Sequence, residues 1–234
     1  MPQKPKSLLI RGAAEVLIIA TGIILAISAE SWWQDRGDRL LESRHLAALH
    51  DDLVASLALI YEVEADQEAQ LNYLSLLLRS DVTDARPEEL RLWLDDGVFD
   101  IWTYRPQLAA LEDLESSGQT RLIRNAEIRR ALAALRQKVD RFDGVQDDMI
   151  ASQQALIDLY LVDNVNLVSV LVETEDDRAA LIATETLQSQ AFRSRVAFKL
   201  GLRRLVGNSL REMRQEFERS LDLLELELDA QPGR

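Results

Sequence analysis

Glu42-x-x-His45 has the spacing with which one helical turn presents a carboxylate and an imidazole to iron in di-iron bundles. Such a centre needs a second pair of this kind and two further carboxylates. The other histidine of the chain, His50, has Ala47 three residues before it. His45 and His50 stand five apart, roughly 140° around a helix, so they do not share a site. Asp51-Asp52 and Asp147-Asp148 are paired carboxylates, a pattern that serves acid–base chemistry or a divalent cation. Neither pair sits in a compact loop or beside complementary donors. All these groups read as solvated helix surface. A denser stretch holds Trp93, Phe99, Trp102 and Tyr104, followed by Arg105. Two of the 4 tryptophans fall there. Aromatic rings with a guanidinium suit a small anion or a peptide. The competing reading has the rings plug the open top of a helical bundle.

Composition narrows the chemistry further. The 234 residues include no cysteine and 2 histidines, which removes thiol nucleophiles, disulfides, thiolate metal sites and histidine-rich centres. The formal net charge of -13 opposes binding to nucleic acid. Arg193, Arg195, Lys199, Arg203, Arg204, Arg211, Arg214 and Arg219 make the last part of the chain locally basic. They read as partners for acidic neighbouring helices rather than as a polyanion site. There is no phosphate-cradling glycine loop and no nucleophile elbow. No catalytic constellation emerges, no enzyme activity is expected, and no metal or other cofactor is expected.

The strongest signal lies near the N-terminus. Gly12 to Ala29 reads GAAEVLIIATGIILAISA, with Glu15 as its one charge. At 1.5 Å per residue it spans roughly 27 Å, close to a bilayer core. Trp32 and Trp33 follow, where interfacial aromatics sit. Lys4, Lys6 and Arg11 precede it, and the positive-inside rule then puts the N-terminus in the cytoplasm. A cleaved signal peptide is the rival, given the small residues Ala26, Ser28 and Ala29. Glu15, Gly22, Ala26 and Ala29 share one helix face, where small residues permit close approach of a second helix. This face is a candidate for self-association; the competing reading has the Glu15 carboxylate snorkel to the interface and the small residues recur by chance.

Ala14 to Ile27 (AEVLIIATGIILAI) resembles the opening helix of an uncharacterised bacterial single-pass membrane family, domain of unknown function 6090. His45 to Leu53 (HLAALHDDL) is similar to that family's Leu-x-x-Leu-x-x-Asp-Leu stretch. Leu114 to Gly118 through Leu122 to Asn125 gives a third match. The chain departs from the family at Ala14, where a glycine is usual, and at Ser28 to Trp33, where asparagine is usual. The resemblance implies a membrane anchor with a helical soluble part, and no activity.

Beyond the anchor the apolar spacing is helical. Leu46, Leu49, Leu53, Leu57, Ile60, Leu71, Leu74 and Leu78 form one stripe with a polar gap around Glu64 to Gln67. Gly37 is a candidate bend, and Asp81 to Pro87 ends this helix. Pro87 opens a short helix closed by Asp95-Asp96-Gly97, and Pro106 to Ser117 forms another closed by Gly118. Asn125 caps a second long helix, whose stripe is Ile128, Leu132, Leu135, Val139, Phe142, Met149, Leu156 and Tyr160. Leu161 to Val172 reads as a connection or a short helix and Glu173 to Arg178 as a charged loop. A third long helix runs from about Glu185 to Asp229.

The expected fold is all-α: an N-terminal transmembrane helix, then an antiparallel bundle of three long helices plus short ones. Residues 1–11 form a cytoplasmic tail, 12–33 the membrane helix, 34–230 an extracytoplasmic bundle and 231–234 a frayed end. In that topology Asp81 to Asn125 lies at the far tip and Leu161 to Val172 returns toward the bilayer. The expected role is a single-pass inner-membrane module for interaction or sensing, with the bulk of the chain in the periplasm. Its partners would be the lipid bilayer, a second copy and a membrane protein, and not nucleic acid. The alternatives are a membrane-tethered metal-dependent enzyme using clustered carboxylates, or a secreted binding module released by signal cleavage.

Overall fold

One helix, α1 (Pro5–Arg79), runs for 75 residues, about 110 Å at 1.5 Å per residue. No proline interrupts residues 6–79, and Leu, Ala and Glu dominate them. The bend expected at Gly37 is absent; the helix continues through it with open space around its Cα. The computed structural model describes residues 5–79, 82, 85–164 and 184–230, with the backbone alone at 5–18, 87, 156, 159, 162, 184 and 185. The charged loop expected at Glu173 to Arg178 and the frayed end at 231–234 lie outside the described residues, as does most of the turn expected at Asp81 to Pro87.

The second element, α2 (Pro87–Leu92), has proline in its first turn, and the Arg86 backbone N–H donates to the Glu89 carboxylate at 3.2 Å. It does not stop at Asp95-Asp96-Gly97. It widens into π-helical turns over Trp93–Phe99. Gly97 lies on α1, where a Cβ would stand 3.3 Å from Tyr73 Cβ. This close approach holds the wide turns against α1 and carries them past the expected stop. After a non-helical stretch come α3 (Ala109–Ser116) and Gly118, whose φ of 68° reverses the chain. A short 3-10 turn over Gln119–Leu122 follows.

Asn125 caps α4 (Ala126–Gln153), its side chain accepting the Glu127 N–H at 2.9 Å. The helix passes Asp143-Gly144 unbroken and leads through π-helical turns at Gln154–Asp158 into α5 (Leu159–Asn164). The last helix of the sequence reading is two helices, α6 (Thr184–Gln188) and α7 (Gln190–Ala230). Ser189 separates them, its hydroxyl accepting the Phe192 N–H at 3.2 Å.

Helix α7 runs antiparallel to both other long helices. Against α1 it pairs Glu218 with Tyr61, Arg214 with Glu64 and Arg193 with the Leu78 carbonyl. Against α4 it pairs Glu227 with Asn125 and Glu212 with Lys138. The two partners, α1 and α4, are therefore parallel to each other. This corrects the expectation that the second long helix returns toward the membrane. The return is made earlier, by residues 85–125, which descend along α1. Trp102 reaches Gln70, Gln107 reaches Ser56, Ala110 reaches Asp52, Gln119 reaches His45 and Arg124 reaches Glu42.

Two placements change with it. Asn125 sits at the base, beside the end of α1 nearest the N-terminus, and not at the tip. Leu161 sits at the tip, packed with Leu77, Leu94 and Val98, and not at the base. Residues 165–172 of that segment lie outside the described residues.

The apolar interior is divided in two. The larger cluster joins Leu46, Leu53, Leu111, Leu132, Phe142, Leu210 and Phe217 toward the base. The smaller joins Leu74, Leu94, Val98, Ile157, Phe192 and Val196 at the tip. Where α7 crosses α1 near their junction, Gly207 faces Gln67. A Cβ on residue 207 would collide with the Gln67 amide nitrogen and lie 3.1 Å from its Cδ. Gly207→Ala is therefore expected to lower stability by about 1–3 kcal/mol. The double variant with Gln67→Ala should recover part of that loss; a double-mutant cycle in urea reads both.

Candidate functional site

A belt of buried polar side chains lies between the two clusters. Lys199 and Arg203 stand four residues apart on α7, so they share a face. They are 2% and 1% exposed. Their acceptors are main-chain carbonyls where the π-helical turns end. Lys199 Nζ donates to Val98 O and, at 3.0 Å, to Asp100 O. Arg203 Nη2 donates to the same Asp100 carbonyl at 2.8 Å. The end of a helix exposes unpaired carbonyls with negative partial charge, which suits these cations.

The surrounding groups complete the belt. The Trp102 ring lies 5.4 Å beneath the Arg203 guanidinium, and its indole N–H donates to Gln70 at 3.1 Å. Gln70 in turn donates to the Asp100 carboxylate. Gln67 donates to the Arg203 carbonyl at 2.6 Å. Gln153 donates to Val98 O at 3.1 Å and to Asp158 at 3.0 Å. Three buried atoms of the belt have no hydrogen-bond partner among the described residues: Arg203 Nε, Arg203 Nη1 and Gln67 Oε1. Burial pulls the Lys199 ammonium down to about 7, with the Arg203 charge adding to it and Asp100 and Asp158 opposing it. Burial likewise lowers Arg203, to about 10.

The aromatic residues of the sequence reading are split between the clusters. Trp93 and Phe99 pack on the tip cluster, Trp102 and Tyr104 on the larger one. Tyr104 is buried; its hydroxyl donates to Ser56 O at 2.9 Å, its ring meets Phe142 edge-on at 6.4 Å, and its phenol is pushed up to about 12 by burial. Gln146 holds the Tyr104 main chain at both its N–H and its carbonyl. Arg105 is exposed and near Asp143, whose carboxyl is raised by burial against the pull of that guanidinium.

Two acidic groups read as solvated prove to be structural. Glu42 is 5% exposed; it accepts the Arg124 N–H at 2.5 Å and pairs with the Arg124 side chain at 3.6 Å. Asp52 accepts the Ala110 N–H at 2.8 Å, satisfying the first turn of α3. His45, beside Glu42 in sequence, meets Gln119 at 2.9 Å. Asp147 and Asp148 are exposed. Among the described residues no three His, Asp or Glu side chains converge as a metal site requires. A groove of about 340 Å³ opens between α1 and α7, with Glu64, Gln67 and Glu68 on one wall and Arg204, Gly207 and Arg211 on the other.

The proposed membrane face is only partly described. Glu15 lies in α1, and its side chain is outside the described residues. Gly22 has no atom within 4 Å of a notional Cβ, and Ala26 and Ala29 are exposed. Every residue from Ile19 to Gln34 is exposed, so α1 leaves the bundle as a bare stalk. Ile19, Ile24, Leu25 and Ile27 each expose more than 60% of their surface, as do Trp32 and Trp33. Among the described residues no helix is long and apolar enough to cross a membrane; residues 12–18 of the apolar run fall where side chains are not described.

Neither histidine nor any paired carboxylate lies in the belt, and the signal for it was the polar gap in the α1 stripe facing two cations on an otherwise apolar α7 face. Buried charges are costly, and replacing them by apolar side chains of similar volume often stabilises. The double variant Lys199→Met/Arg203→Met is therefore expected to melt at a higher temperature than the natural chain. Arg203→Ala alone should lose about 2–4 kcal/mol through the cavity it leaves and the unpaired carbonyl. Circular dichroism melts distinguish the two. No family model, no curated protein and no solved structure matches this chain.

Proposed function

We propose that this protein is a single-pass membrane-anchored helical module for interaction or sensing. Its N-terminus lies in the cytoplasm and its bundle on the opposite side. The observation that carries the reading is the stalk. An aliphatic helical segment with every side chain exposed is unfavourable in water, and a patch of that size marks a contact surface. The sequence upstream extends the run to the length of a bilayer core. The tryptophan pair sits where the run gives way to charged residues, with ring centroids 6.2 Å apart. The resemblance to domain of unknown function 6090 points the same way.

The bundle begins two residues beyond Trp33, where Asp35 pairs with Arg124. The base would therefore sit at the headgroups. The tip, at Arg79, would stand about 70 Å away along the helix axis. An unbroken helix between them can carry displacement from the tip to the anchor. The Gly22, Ala26 and Ala29 face, with Glu15 on the same side, is open to a second copy within the membrane. No catalytic role is proposed. The metal-dependent alternative lacks a carboxylate cluster among the described residues.

Fractionation, protease treatment of spheroplasts and N-terminal sequencing test the assignment together. Integral membrane behaviour, an intact N-terminus and digestion of the bundle from outside are the expected results. A soluble chain beginning between Ser28 and Ser31 would replace the anchor with a signal peptide. Gly22→Leu should weaken in-membrane cross-linking between copies if the small-residue face is used, and leave membrane retention unchanged.

A further inference from the structure

We propose that the polar belt is an acid-released latch: Lys199 and Arg203 fasten the end of the π-helical turns, and the tip beyond them opens as a unit when the belt takes up a proton. The argument begins with how the tip is attached. Its apolar cluster is separate from the larger one and draws on the end of α1, α2, the π-helical turns, α5, α6 and the first turns of α7. Between the clusters the packing is polar. Val98 O and Asp100 O, the two carbonyls that close the π-helical turns, are each held by side chains of α7. Local unfolding follows such boundaries, because a polar layer with unpaired atoms contributes less to cohesion than either apolar cluster.

The belt is also electrically unbalanced. Two cations one turn apart are buried together, and among the described residues neither contacts a carboxylate within ion-pair distance. Two of the Arg203 nitrogens have no hydrogen-bond partner among the described residues. The groups facing Lys199 are Arg203 from its own helix, Asp100 from the descending segment and Asp158 from the turn after α4. Asp96 lies one turn from Asp100, with its carboxyl raised by burial. On the α1 side the belt presents Gln67 and Gln70, which do not titrate. Lys199 is thus the group whose protonation changes the belt near neutral pH. Arg203 keeps its charge.

The direction follows from linkage. Burial holds the closed-state Lys199 amine at about 7, against an ordinary value of 10.5 when the tip is open. Between those values the open form binds more protons. Opening is therefore favoured as pH falls through this window, and the dependence levels off below about 7. From pH 8 to pH 6 the open fraction should rise about ten-fold. An opened tip would offer Leu74, Leu77, Leu94 and Phe192 to a partner with an apolar surface. This inference does not depend on the membrane assignment and survives its loss.

Amide hydrogen exchange on the full chain in detergent, corrected for intrinsic rates, reads the latch. Protection in 85–100, 157–164 and 190–200 should fall about ten-fold from pH 8 to pH 6, while 46–60, 128–146 and 206–224 hold constant. Lys199→Met should abolish the difference; if it does not fold, Lys199→Gln serves the same purpose. Equal change in tip and base, or no change in the natural chain, overturns the proposal without any variant. Persistence of the difference in Lys199→Met also overturns it.

Discussion

Two cations that cannot reach water dictate the middle of this fold. Lys199 and Arg203 lie on the face of α7 that must also bury Val196, Leu200 and Val206. A helix cannot turn away four residues of a continuous apolar face, so the charges go inside with their neighbours. They then need acceptors, and no nearby carboxylate contacts them. The π-helical turns supply main-chain carbonyls at the required height. The stretch after Phe99 leaves helical geometry where those carbonyls are used. Trp102 and Gln70 close around the site, and the apolar interior divides on either side of it.

The descending segment solves a second problem. With α1 and α4 parallel, both depend on α7, and a further surface between them needs covering. Residues 100–125 cover it, and only α3 and the short 3-10 turn within them are regular. Their main-chain groups are satisfied by side chains of the long helices: Asp52 for Ala110, Ser56 for Gln107, Gln146 for Tyr104 and Glu42 for Arg124. Buried main-chain polar groups without such partners would be strongly unfavourable. This accounts for polar residues on helix faces that an apolar count alone would assign to solvent.

The stalk and the bundle differ in what their side chains face. From Ile19 to Ala29 the helix presents exposed, mostly aliphatic side chains on all sides; above Glu42 the same helix alternates buried leucines with exposed charges. The change falls between them, marked by Trp32 and Trp33 and by the Asp35–Arg124–Glu42 network. No hinge separates the two parts, and the helix is unbroken at Gly37.

The all-helical class, the three apolar stripes, the Asn125 cap and the reversal at Gly118 were legible in the sequence, because each depends on neighbours within one or two turns. The polar gap after Ile60 was also visible, though not its partner. Only the tertiary structure decided the direction of α4. Periodicity states which face of a helix is apolar, and says nothing about whether the chain has already folded back before that helix begins. The roles of Glu42 and Asp52 were hidden for the same reason: their partners lie 82 and 58 residues away. Lys199 and Arg203 read as partners for acidic helices, whereas their acceptors are main-chain carbonyls. Their burial follows from the register of α7 against α1 and the π-helical turns, which the whole fold sets.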